Sequence, residues 1–126
     1  MRFHDYHLTG YQVADGGKSI TLNLLDDYPN QEKHWSFIHF HEVALYHFIH
    51  SDGAIILDIE QVSVAALVKE NGAAITEWSR QYGLRFWQGD LDSYSETLVN
   101  GGYKAWRIES SIGFYGFVFA RSVSNT

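Results

Sequence analysis

The sequence predicts an α+β domain: an antiparallel sheet opened by a β-meander, then two helices, then a closing β-hairpin, with the helices packed on one face of the sheet. Three observations predict it. Runs rich in Val, Ile, Tyr, Phe and Thr follow one another up to residue 60, the apolar period lengthens to three and four from residue 63, and strand-like runs return after residue 103. With 126 residues and a single proline, the chain has the length of one domain and no linker-like interruption. A chain of this size buries roughly 65% of the surface it exposes when unfolded. The expected domain covers residues 1–121, with residues 122–126 as a frayed tail.

The elements follow in order. Tyr6, Leu8, Tyr11 and Val13 lead into Ala14-Asp15-Gly16-Gly17, after which Ile20, Leu22 and Leu24 share one face of a second strand. Asp26-Asp27-Tyr28-Pro29-Asn30 is a polar break before a third strand at residues 35–40 and a fourth at residues 43–49. Residues 41–50 also carry Val43, Tyr46, His47 and His50 at helical spacing, but their Val, Tyr, Phe and Ile content favours a strand. Ser51-Asp52-Gly53 is expected to turn the chain into a continuous apolar strand at residues 54–59.

From Ser63, a candidate N-cap, Val64, Leu67, Val68, Ile75, Trp78 and Tyr82 trace the face of an amphipathic helix that stops at Gly83 and can split at Asn71-Gly72. Leu67, Ile75 and Trp78 are its expected buried face. Residues 84–89 form an aromatic loop, and Asp92 is the expected cap of a short helix ending at Asn100-Gly101-Gly102. Two strands close the fold. Trp106 and Ile108 share a face at residues 103–110, while residues 114–120 are apolar on both faces, with Phe117 and Phe119 opposite Val118 and Ala120.

Composition removes several functions. Hydrophobic residues at 45%, with four Trp, eight Tyr and eight Phe, exclude a disordered chain. The absence of cysteine excludes disulfides, a thiol nucleophile and cysteine-ligated metal. The first residues lack the apolar core of a secretory signal, and no run approaches the ~18 apolar residues of a membrane span. A soluble, cytoplasmic protein without membrane contact is expected. Nine scattered Lys and Arg in a chain of net charge −6 provide no basic stripe, so nucleic acid is not an expected ligand, whereas a basic protein partner is compatible. Protonating all seven His would move the formal charge from −6 to +1. Twenty aromatics are more than one small core readily uses, so self-association as a homodimer is also expected.

The chemistry centres on histidine. His39 and His41, two apart on a strand, point to one face, which is how an HxH pair can chelate a metal. They lack the glycine before and the glutamate a few residues after that accompany such a pair in cupins. His41-Glu42 with His47 misses HExxH, because the second histidine falls two places late. If His39, His41 and His47 converged, Asp58 or Glu60 would complete a transition-metal shell; the same residues also suit half-buried sheet positions with their polar tips hydrogen-bonded. With no completed ligand spacing, neither a metal nor any other cofactor is expected.

Asp58 and Glu60 share a strand face and suit a carboxylate pair in a cleft or a solvated strand end. Arg85 and Trp87, in Leu84-Arg85-Phe86-Trp87, suit the wall of a ligand pocket or a loop plugging the core. His4-Asp5 with His7 resembles a base and its orienting carboxylate, but no Ser lies in a nucleophile context, and Ser110-Ser111 reads as a turn. Gly101-Gly102 reads as a helix end and not a phosphate cradle.

His4-Asp5 near the start, F-H-E-V-A-L-Y-H-F at residues 40–48, I-I-L-D-I-E at residues 55–60 and W-R-I-E-S-S-I-G at residues 106–113 carry a resemblance. The chain resembles small uncharacterised bacterial α+β proteins, some placed among immunity proteins that neutralise polymorphic toxins. The resemblance spans most of the chain without a catalytic motif, and it implies a cytoplasmic binding role. Three readings are therefore open: a non-catalytic interaction domain, such as an immunity-type inhibitor of a toxin; a metal- or small-ligand-binding protein using His39, His41 and His47; and a hydrolase or isomerase using His and carboxylate pairs.

Overall fold

The computed structural model describes residues 2–29 and 31–126, with the side chains of residues 2–5 and 57 excepted. The fold is α+β. Its strands are β1 (Arg2–Ala14), β2 (Ser19–Asp26), β3 (His34–Val62) and β4 (Lys104–Asn125), and its helices are α1 (Val64–Glu70), α2 (Gly72–Tyr82) and α3 (Leu91–Asn100). All strand pairs are antiparallel, in the order β1-β2-β3-β4, with a further β1–β3 pairing. The turn between β1 and β2 is a short 3-10 segment at Asp15–Gly17, where Gly16 takes φ 67°.

Three strands expected between residues 35 and 59 are one strand, and the expected closing hairpin is also one strand. The reason is that the breaks at residues 51–53 and around Gly113 fall opposite each other, so both strands bend together and stay paired, from Val43 with Ala120 to Val62 with Ala105. Gly113 has φ 81°, and a Cβ there would lie 2.9 Å from the Ala54 Cα, so the corner needs glycine for both conformation and space. A second register shift lies between Val43 and Leu45, next to Glu42, which has φ 54°.

The strands curl. β2 pairs with residues 34–41 of β3, while the start of β1 pairs with residues 55–58 of the same strand. The Phe40 ring consequently meets Trp106 at 5.8 Å, and the Arg121 guanidinium lies 4.7 Å over the ring of Tyr103. Inside the curl, Ile20, Leu22, Leu24, Ile38, Phe40, Ile56, Trp106, Ile108, Val118 and Ala120 form one buried cluster. Val64, Leu67, Val68, Ile75, Tyr94 and Leu98 of the helices form a second with Ala105, Phe117 and Phe119. Residues 117–120 therefore feed alternate side chains into two cores, which explains their apolar run.

The helix starting at Ser63 breaks at Asn71-Gly72 into α1 and α2. Ser63 Oγ accepts from the Ala66 N–H at 3.2 Å, and Gly83 ends α2 with φ 71°. The cap of α3 is Asp90 and not Asp92; Asp90 Oδ1 accepts from the Ser93 N–H at 2.7 Å, leaving Asp92 in the first turn. Residues 122–125, expected to fray, continue β4 against residues 38–41, and Thr126 exchanges two backbone hydrogen bonds with Phe37 at 2.9 and 3.0 Å. Those groups find partners because β3 has an edge free beside them. Among the described residues, no helix is long and apolar enough to cross a membrane.

Candidate functional site

Trp35, Phe37, His39 and His41 alternate along one face of β3, opposite the inward-facing Ile38 and Phe40. None of the four belongs to the cluster the helices bury. Trp35 is 47% exposed, and its ring lies parallel to that of Phe37, with centroids 6.1 Å apart and 5° between planes. His39 shares hydrogen bonds with Thr21 Oγ1 at 3.0 Å and Thr126 Oγ1 at 2.9 Å, and His41 with Ser124 Oγ at 2.8 Å. Hydroxyls from the two flanking strands thus hold both imidazoles in the sheet surface.

His47 lies elsewhere. Six residues beyond His41, or ~20 Å along an extended strand, its ring packs 4.8 Å from Trp78 and 6.0 Å from Phe117 under α2. Among the described residues, His39, His41 and His47 do not form a group close enough to share an ion, because the helix covers His47 while hydroxyls engage His39 and His41. The one group of carboxylates and imidazoles close enough to share an ion, among the described residues, is Asp58, Glu60 and Glu109, whose oxygens lie within 4.8 Å of one another. Glu109 reaches it because Asp58 and Glu109 are ladder partners, a pairing that sequence spacing does not reveal. Beside them, Arg107 donates to Glu70 at 2.6 Å, and this ion pair raises its pKa.

Arg85 and Trp87 separate. Trp87 packs against Tyr94 at 5.6 Å, with the helix core, while the exposed Arg85 guanidinium sits 4.9 Å over Phe86 beside a cavity of about 230 Å³. That cavity is lined by Lys18, Glu42, Val43, Arg85, Phe86, Tyr103 and Arg121, residues scattered over the sequence and so missed as a group. A larger cleft of about 430 Å³ collects His7, Thr9, His50, Ser51 and Asp52 at the corner of the sheet. Ser51 Oγ there donates weakly to the Gly113 carbonyl at 3.4 Å, and among the described residues no hydrogen bond joins it to an imidazole, as a nucleophile and its base would need. His4 and Asp5, the suggested base and carboxylate, have side chains outside the described residues. Ser110 Oγ donates to the Phe114 carbonyl at 2.8 Å and supports the bend.

Among the described residues, two groups besides Arg107 have displaced proton affinities. Burial raises the Tyr94 phenol, and the Ser93 N–H lowers the pKa of Asp90. All three causes are structural, and none of these residues lines either cavity. No protein-family model, curated protein or solved structure matches this chain.

Proposed function

We propose that this chain is a non-catalytic protein-interaction domain of the cytoplasm, an immunity-type inhibitor whose partner is a basic toxin. The observation that supports it is the Trp35–Phe37 stack on the uncovered face of β3. A large amphipathic ring on a rigid strand loses little side-chain entropy on binding, and such rings dominate interface energetics. His39 and His41 extend the row with polar groups already oriented by Thr21, Thr126 and Ser124. The net charge of −6 favours encounter with a basic surface.

The test is a calorimetric titration with the protein encoded by the neighbouring gene. Binding at one to one is expected, with affinity at least tenfold lower for Trp35→Ala while the thermal melt stays close to that of the wild type. No binding, or binding indifferent to both Trp35→Ala and Phe37→Ala, would reject the proposal. A second reading, a homodimer, draws on Ile49 and Ile112, each 59% exposed at the sheet corner near Tyr115. Light scattering that gives a dimer mass, reduced to a monomer by Ile49→Glu, supports it; a monomer at high concentration removes it.

A further inference from the structure

Three of the nine Lys and Arg of this acidic chain meet at one small cavity. Lys18 comes from the turn before β2, Arg85 from the loop after α2, and Arg121 from β4. Around them the aromatic rings are ordered in series: Arg85 over Phe86, Phe86 against Tyr103 at 5.6 Å, and Tyr103 under Arg121. Arg121 is further held by donating from Nε to the Gly101 carbonyl at 2.9 Å and from Nη1 to Glu42 Oε2 at 3.2 Å. Among the described residues, Lys18 and Arg85 have neither a side-chain hydrogen bond nor an ion pair, so their charges remain available.

The backbone adds an independent observation. Only three non-glycine residues among those described take positive φ: Asp15, Glu42 and Phe86. Two of them, Glu42 at 54° and Phe86 at 72°, line this cavity. Strain of this kind concentrates where ligands are held. Next to Glu42, the Val43 N–H donates to the Lys18 carbonyl at 2.8 Å and ties β3 to the turn that carries Lys18.

We propose that this cavity binds the phosphate group of a small phosphomonoester, with Lys18 and Arg85 taking the anion and Glu42 yielding Arg121 to it. Three cations less one carboxylate leave a local charge of about +2, which matches a phosphomonoester at neutral pH better than a single carboxylate. Guanidinium groups suit phosphate because their planar donors pair with its oxygens two at a time. Phe86 and Tyr103 provide apolar walls for the body of the ligand. The cavity of about 230 Å³ adjoins a second of about 320 Å³ through Lys18, Val43 and Arg85, which leaves room for the body of the ligand beyond its phosphate. In this scheme Glu42 competes with the ligand for Arg121.

The cavity shares no lining residue with the row of Trp35, Phe37, His39 and His41, so either proposal can fail without the other. The test is an NMR titration of the intact protein with phenyl phosphate, with inorganic phosphate, benzoate and chloride as parallel arms, following the arginine Nε–Hε signals. Saturable movement of the Arg85 and Arg121 signals is expected, tightest with phenyl phosphate. Lys18→Met and Arg85→Ala should each weaken binding at least tenfold, and Glu42→Gln should strengthen it, with unchanged backbone spectra confirming that the variants are folded. Unsaturated shifts, shifts reproduced equally by chloride or benzoate, or affinity unaffected by both Lys18→Met and Arg85→Ala would overturn the proposal.

Discussion

Leu67 has no exposed surface and joins α1 to the cluster shared with Phe117 and Phe119. Leu67→Ala leaves a cavity in packed surroundings and should cost about 2–5 kcal/mol; an unchanged urea midpoint would contradict its place in the core. Asp90 supplies a pH-dependent contribution. Its pKa is lowered by the Ser93 N–H, so its stabilisation is complete above the ordinary aspartate value of ~3.9 and disappears as pH falls through the lower folded value. The stability difference between wild type and Asp90→Ala should therefore be present at neutral pH and shrink in strong acid; a difference independent of pH would remove the cap. At this scale much was legible. The alternation of Ile20, Leu22 and Leu24, the shared face of Trp106 and Ile108, and the Ser63 cap follow from local periodicity and hydrogen bonding. The cap of α3 was misread by two residues because Asp90 and Asp92 offer the same chemistry, and only the chain's approach to the helix selects between them. The separation of His47 from His39 was not legible, since which part of a strand a helix covers is a tertiary fact.

The strands expected to stop at residues 51–53 and around Gly113 continue for one physical reason. A turn tripeptide such as Ser51-Asp52-Gly53 can reverse a chain or make a bulge, and the outcome depends on whether the partner strand bends at the same level. Here Gly113 bends β4 at that level, so β3 and β4 each continue through the corner. Substitutions should reveal the asymmetry of this corner. Gly53→Ala meets open space and suffers only from positive φ, whereas Gly113→Ala also drives a Cβ to within 2.9 Å of the Ala54 backbone. Gly113→Ala should be the more destabilising in chemical denaturation; equal losses would show that the corner is not packed as described. The terminal residues were misread because Ser and Asn carry little strand preference, yet Ser124 and Thr126 engage His41 and His39 and complete the edge of β3.

For the whole molecule, the α+β class was legible from the change of apolar period, while the curl was not. It depends on β1 pairing with both β2 and the far part of β3, contacts too distant in sequence for periodicity to report. The curl is also what creates the candidate sites. It leaves the outer face of residues 35–41 uncovered and gathers Lys18, Arg85 and Arg121 at one cavity, while the β3–β4 ladder brings Glu109 to Asp58 and Glu60. If a basic partner is drawn by the net charge and by the exposed Glu60 and Glu109, its association rate should fall as ionic strength rises, with a smaller change in dissociation. The most direct test of the account is to map, by backbone amide shifts, where the neighbouring gene's product binds. Changes are expected at residues 19–25, 35–41 and 122–126, on the face carrying Trp35 and Phe37. Changes confined to α1–α3, or none at any ratio of the two proteins, would contradict it.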